Sequence, residues 1–101
     1  MYNPVQEMSK IPSGSRVIFY GSGNMGKKCL NEYRQNSDYE LISFVDKRHS
    51  EIGSLDGVPV KSPQTLSSTN FDYVIPTTTK YFNEVVKDLG NMGIPESKII
   101  M

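Results

Sequence analysis

Three glycines within six residues constrain this chain more than any other feature. "GSGNMG" (21–26) follows the apolar run "RVIFY" (16–20) and leads into "KKCLNEYRQ" (27–35). The run before the glycines is β-branched and aromatic without alternation, the pattern of a strand buried on both faces. After it the period changes. Met25, Cys29, Leu30 and Tyr33 recur at helical spacing, while Lys27, Lys28, Asn31, Glu32 and Arg34 lie elsewhere. A buried strand feeding a helix through a glycine-rich turn is the opening move of a parallel α/β unit.

The rest of the chain keeps the same rhythm. "YELISFVD" (39–46) reads as a second apolar strand ending on an acidic residue, and "KRHSEIGSLDG" (47–57) as a polar loop with a turn at Asp56-Gly57. "VPV" (58–60) is a short strand whose Pro59 points to a sheet edge. Ser62 and Pro63 open a small helix as cap and first residue. "FDYVIPT" (71–77) is the fourth strand, stopped by Pro76. Phe82, Val85, Val86 and Leu89, flanked by Tyr81, make a helical stripe, with Gly90 and Gly93 as stop signals. Lys98 to Met101 forms a last apolar strand. Ahead of all this, "PVQEMSK" makes a short amphipathic turn with Val5 and Met8 on one side, broken by "PSGS". The expected organisation is an N-terminal segment (1–14) and one domain (15–101). With right-handed crossovers the domain is a Rossmann-like three-layer α/β/α fold with a parallel five-stranded sheet in the order 3-2-1-4-5.

Composition narrows the function classes. A chain of 101 residues holds one modest core. Eleven basic residues balance eleven acidic ones, which gives no argument for nucleic acid or an anionic membrane. Cys29 and His49 are the only residues of their kinds, so neither an internal disulfide nor a cysteine or multi-histidine metal cluster can form within one chain. The first fourteen residues lack the apolar stretch of a secretory signal. No apolar run approaches the roughly 20 residues of a bilayer span. The expectation is a cytoplasmic protein, or a cytoplasmic part of something larger.

In a dinucleotide fold the glycines divide the work. Gly21 permits the tight turn, Gly23 lets the main chain approach a pyrophosphate, and Gly26 lets helix and strand pack closely. The free N–H groups of the helix start, Asn24, Met25 and Gly26, would then face an anion, helped by the helix dipole, with Ser22 in the same binding loop. Asp46, 20 residues past Gly26, stands where such folds hold a ribose hydroxyl. The rival reading is that the glycines serve turn and packing alone. Lys47 and Arg48 suit either a ribose 2′-phosphate or a solvated loop. Thr77, Thr78 and Thr79 end the fourth strand beside the crevice, where their hydroxyls meet a ligand or Thr79 caps the next helix. Cys29 reads as core, and His49 as a solvated loop residue. No tyrosine has a lysine four positions on, and no G-x-S-x-G elbow occurs, so a self-contained enzyme is not expected.

Taken together, "RVIFYGSGNMGKKCL", "LISFVD", "GVPVKSPQTL" followed by "FDYVI", and "VVKDLGNMGIPESKII" resemble small Rossmann-like domains of bacterial polysaccharide biosynthesis. Such domains occur fused to nucleotide-sugar dehydratases and epimerases of the capsular type, to glycosyltransferases and to sugar-modifying methyltransferases. The resemblance covers roughly residues 14–101. It implies a cytoplasmic module that binds NAD(P) or a nucleotide-sugar beside a catalytic domain, with Gly21, Gly23, Gly26 and Asp46 matching the binding positions. Two alternatives stay open. One is an interaction module without a ligand, forming a homodimer or docking a catalytic partner through Tyr81, Phe82 and the "VPV" edge. The other is a fragment of an NAD(P)-dependent epimerase or dehydratase.

Overall fold

The apolar run after Ser15 becomes the centre of the sheet. A computed structural model describes residues 1–101. Its strands are β1 (Arg16–Tyr20), β2 (Glu40–Val45), β3 (Ser54–Leu55), β4 (Val58–Lys61) and β5 (Tyr73–Pro76). Helices are α1 (Pro4–Glu7), α2 (Asn24–Gln35), α3 (His49–Ile52) and α4 (Phe82–Asn91), with 3-10 turns at Met8–Lys10, Pro63–Ser67 and Glu96–Lys98. β1 lies between β2 and β5, parallel to both, and β4 runs parallel to β2 on the far side.

Burial on both faces explains why β1 shows no alternation. Val17 and Phe19 point into one core with Cys29, Leu30 and Phe44, against α2. Ile18 and Tyr20 point into the other with Val74, Val85 and Leu89, against α4. Each fully buried aliphatic side chain contributes roughly 1.5–3 kcal/mol. β2 carries a register shift: Leu41 pairs with Val17 but Ser43 with Ile18, leaving Ile42 as an extra residue. The shift returns Phe44 to the α2 face and Val45 to the α4 face.

The N-terminal arm packs on the α2 face, where Met8 and Ile11 join Ile75 and Ile100. Tyr2 stacks on Phe82 with ring centroids 4.0 Å apart and donates its hydroxyl hydrogen to the Pro76 carbonyl at 2.7 Å. Ser62 caps its short turn as expected, accepting from the Gln64 N–H at 3.2 Å. α4 runs through Gly90, and the chain reverses at Gly93, whose φ of +77° suits glycine.

The sheet departs from the expected one at both edges. Its order is β3-β4-β2-β1-β5, and it is mixed rather than wholly parallel. The additional strand is β3, which pairs antiparallel with β4 through Ser54–Pro59 and Leu55–Val58, inside the segment expected to be loop. Asp56 and Gly57, both at positive φ (48° and 87°), make the two-residue turn that closes this hairpin. β4, with its "VPV", is therefore covered rather than exposed. At the other side the expected strand Lys98–Met101 makes only one bridge, Ile99 to Val74. Pro76 has no N–H to extend the ladder, and its carbonyl is taken by Tyr2.

Candidate functional site

The turn between β1 and α2 sits at the carboxyl ends of the parallel strands, and its glycines answer to different constraints. Gly21 has φ +124°, a conformation side chains rarely adopt, and a Cβ there would lie 3.2 Å from the Thr77 carbonyl oxygen. Gly26 backs onto the turn so closely that a Cβ would overlap the Gly21 carbonyl oxygen and press on the Phe44 ring at 3.2 Å. Gly23 is different: its Cβ would meet only the Arg48 Nη2, at 3.6 Å. Two of the glycines are required by the protein's own packing, and the third has only the tip of the exposed Arg48 side chain in front of it.

Side chains just past the ends of β2 and β5 hold the turn in place. Gly21 donates its N–H to the Val45 carbonyl at 2.9 Å and accepts from the Thr77 hydroxyl at 2.6 Å. Asp46 Oδ2 accepts from both the N–H and the hydroxyl of Ser22, each at 2.9 Å. Its Oδ1 accepts from the Arg48 N–H at 2.9 Å and lies 3.5 Å from Arg48 Nε. Burial pulls the Asp46 carboxyl upward, but the hydrogen bonds from Arg48 and Ser22 outweigh it and hold the group below the ordinary carboxylate range. Asp46 is thus a buried anion fastened to the turn.

α2 starts without a side-chain cap. The first backbone bond into it is from the Lys27 N–H to the Gly23 carbonyl. The amides of Gly23 to Gly26 precede that bond, and an α-helix leaves its first four N–H groups to outside partners. Gly23, Asn24 and Met25 line a cleft of about 560 Å³ that extends past Asp46 and Thr77 to α4.

The far wall of the cleft is made of side chains. Lys47 Nζ bridges Glu84 and Asp88 of α4, at 2.9 Å to each. Those hydrogen bonds push the Lys47 ammonium above its ordinary value. Tyr20, under this wall, has its phenol pushed up to about 12 by burial and by the Asp88 carboxylate, which its hydroxyl faces at 3.4 Å. Tyr81 stands exposed at the rim.

The sequence-derived residues therefore separate into two groups. Gly23, Asn24, Met25, Lys47 and Thr78 line the cleft. Ser22, Gly26, Asp46 and Thr77 are buried, while Gly21 is half-buried; their hydrogen bonds and close packing serve the turn, and Gly21, Asp46 and Thr77 also reach the cleft lining. Thr79 does not cap α4, which has no side-chain cap; in the turn before it the Thr78 hydroxyl accepts from the Tyr81 N–H at 3.2 Å. Cys29 is core, and burial pushes its thiol up to about 12. Arg48, weighed with Lys47 for a 2′-phosphate or a solvated loop, stands instead over Gly23, and the Glu84/Asp88 pair was not among the expected site residues. The signal for that pair was an acidic i, i+4 spacing on the helix face away from the apolar stripe. His, Cys, Asp and Glu nowhere group in threes around a metal-sized site. No helix is long and apolar enough to cross a membrane.

Comparison with known proteins agrees with this architecture. The crystal structure of UDP-D-quinovosamine 4-dehydrogenase from Vibrio fischeri superposes with a TM-score of 0.61 at 17% identity, covering 86% of this chain and 75% of that chain. At that identity the likeness concerns the fold, a Rossmann-like α/β sheet. Mannitol-1-phosphate 5-dehydrogenase of Coccidioides immitis (strain RS) is 39% identical over 44 residues, which are 44% of this chain and 11% of that protein. The chain spans only about a tenth of the length of this curated relative. The model of the C2185-like family, N-terminal domain, matches residues 13–100. With nearly every residue of the β-sheet and its helices inside that match, the chain belongs to the C2185-like, N-terminal family.

Proposed function

We propose that this domain binds a nucleotide or nucleotide-sugar in the cleft at the β1–α2 turn and serves sugar-nucleotide or surface-polysaccharide biosynthesis beside a catalytic partner. The observation that carries the reading is Gly23. It lines the cleft, the amides of the uncapped helix start adjoin it, and no atom of the protein other than Arg48 Nη2 accounts for its missing side chain. A main chain left bare at a helix start is suited to a diphosphate. The turn is also held in shape before any ligand arrives, by Asp46 and Thr77.

Support from the comparisons is of two kinds. The solved chain that superposes carries the name of a nucleotide-sugar dehydrogenase, and the short matching stretch belongs to a sugar-alcohol-phosphate dehydrogenase. The coverage of both chains makes the solved one only modestly longer than this chain. The cleft holds no tyrosine–lysine pair at catalytic spacing, and its one buried acid is occupied with the turn. These features favour binding over chemistry within this domain.

Calorimetry against NAD(H), NADP(H) and a UDP-sugar tests the reading. At least one of them should bind, and Gly23→Val should abolish that binding while the protein still melts cooperatively near the wild-type temperature. Absence of heat from every nucleotide sinks the proposal.

A further inference from the structure

Two groups at the end of β2 face the cleft, and their bonding separates their roles. Both oxygens of Asp46 are committed, Oδ2 to the N–H and hydroxyl of Ser22 and Oδ1 to the Arg48 N–H. Its side chain is 11% exposed. A carboxylate that reads a ribose must accept from the sugar hydroxyls, and here Oδ2 is filled by Ser22, leaving only the second lone pair of Oδ1, on the oxygen that Arg48 Nε already faces. The Arg48 guanidinium is in the opposite situation. Its side chain is 58% exposed, and only its Nε faces a carboxylate, at a loose 3.5 Å. Its Nη2 stands 3.6 Å from the Cβ position of Gly23, the cleft-lining glycine that is not packed against main chain. A phosphate seated above Gly23 falls within reach of that planar fork, whose geometry matches phosphate oxygens in pairs.

We infer that Arg48, rather than Asp46, is the ligand-selecting residue of this cleft: its guanidinium grips the diphosphate above Gly23, and Asp46 is a positioning residue that holds the turn and aims the arginine. The inference rests on the nucleotide-binding reading and deepens it. The ligand class is a nucleoside diphosphate, free or linked to a sugar or second nucleoside, with its ribose 2′-position unread by Asp46. Lys47, the neighbouring cation, is engaged with Glu84 and Asp88 and is not the gripping group.

Calorimetry on the full chain separates the possibilities, using UDP and ADP, their 2′-deoxy forms, NAD and NADP, against wild type, Arg48→Gln and Arg48→Lys. Arg48 is exposed, so both variants should keep the wild-type melting temperature. Each diphosphate and its 2′-deoxy form should bind within about threefold of one another, and Arg48→Gln should weaken all of them by about tenfold or more. Arg48→Lys should recover part of the loss, because it restores charge without the fork. Undiminished binding by Arg48→Gln overturns the inference and leaves the nucleotide-binding reading standing. A tenfold loss on removing the 2′-hydroxyl overturns it as well, since that puts the ribose on Asp46. So does a preference for NADP over NAD that Arg48→Gln erases without weakening UDP or NAD, since that moves the guanidinium to a 2′-phosphate. If no nucleotide binds wild type, the underlying reading fails and this inference fails with it.

Discussion

The cleft has two walls built on different physics. On the β1–α2 side the wall is main chain, held by buried partners: Thr77 on the Gly21 carbonyl, Asp46 on Ser22, and Gly26 against the turn itself. On the α4 side it is exposed side chains, Lys47 between Glu84 and Asp88, with Tyr81 at the rim. A buried hydrogen bond is costly to break, because the group left behind has no water to turn to. An exposed ion pair is screened by solvent and salt and contributes little. The first wall is therefore a fixed template and the second an adjustable one. On the proposed function, the template would hold the diphosphate common to many ligands and the other wall would vary what is accepted.

The sharpest way to break this contrast is Gly26→Ala. The added methyl would collide with the Gly21 carbonyl oxygen, which is main chain and cannot swing aside. Overpacking of this kind should cost about 3 kcal/mol. Chemical denaturation should show a large drop in midpoint. A variant as stable as wild type means that the turn has slack, and the template description fails.

Next comes Asp46→Asn, with a loss of about 2 kcal/mol at neutral pH, since hydrogen bonds to a charged acceptor are replaced by weaker ones. Here pH gives an independent check. The folded Asp46 carboxyl titrates below its ordinary value of 3.8, so its stabilisation is present in full above that value. It is lost as pH falls through the lower folded value. The gap between wild type and variant should be flat from neutral pH down to about 4 and should narrow below that. A gap that widens on acidification reverses the sign and refutes a depressed carboxyl. Thr77→Val is the smaller perturbation on the same wall. It strips one donor from the Gly21 carbonyl, for about 1.5 kcal/mol, and Thr77→Ser should restore most of it.

How much of this was readable from the sequence follows the same divide. "RVIFY", the glycines and the stripe from Phe82 to Leu89 fix elements whose period and punctuation are local, and all lie where expected. The misses concern pairing between distant segments. Asp56-Gly57 was recognisable as a turn, but its consequence depends on Leu55 and Val58 being close enough to pair, a hairpin of only two residues a side. "SKIIM" has the composition of a strand. Pairing fails beyond Ile99 because Pro76 lacks an N–H and Tyr2, from the other end of the chain, takes the neighbouring carbonyl. Asp46 was placed correctly at the strand end, yet which groups it would satisfy depended on Ser22 and Arg48 both turning toward it. Spacing alone locates a carboxylate without telling whether it is spoken for.

The α4 wall gives the smallest expected effect and the most direct test of adjustability. Lys47→Met removes a cation shared by two carboxylates, all on fully or partly exposed side chains. The melting temperature should fall slightly at low salt and match wild type at high salt, where the pair is screened. Its effect on ligand is a separate matter. Glu84 and Asp88 would then face an anionic diphosphate unneutralised, and affinity should drop by about threefold at low salt and recover as salt rises. A loss of tenfold or more that salt does not recover has a different meaning. It makes Lys47 a direct ligand contact held in desolvated geometry, and the α4 side then belongs to the same fixed template as the glycine turn.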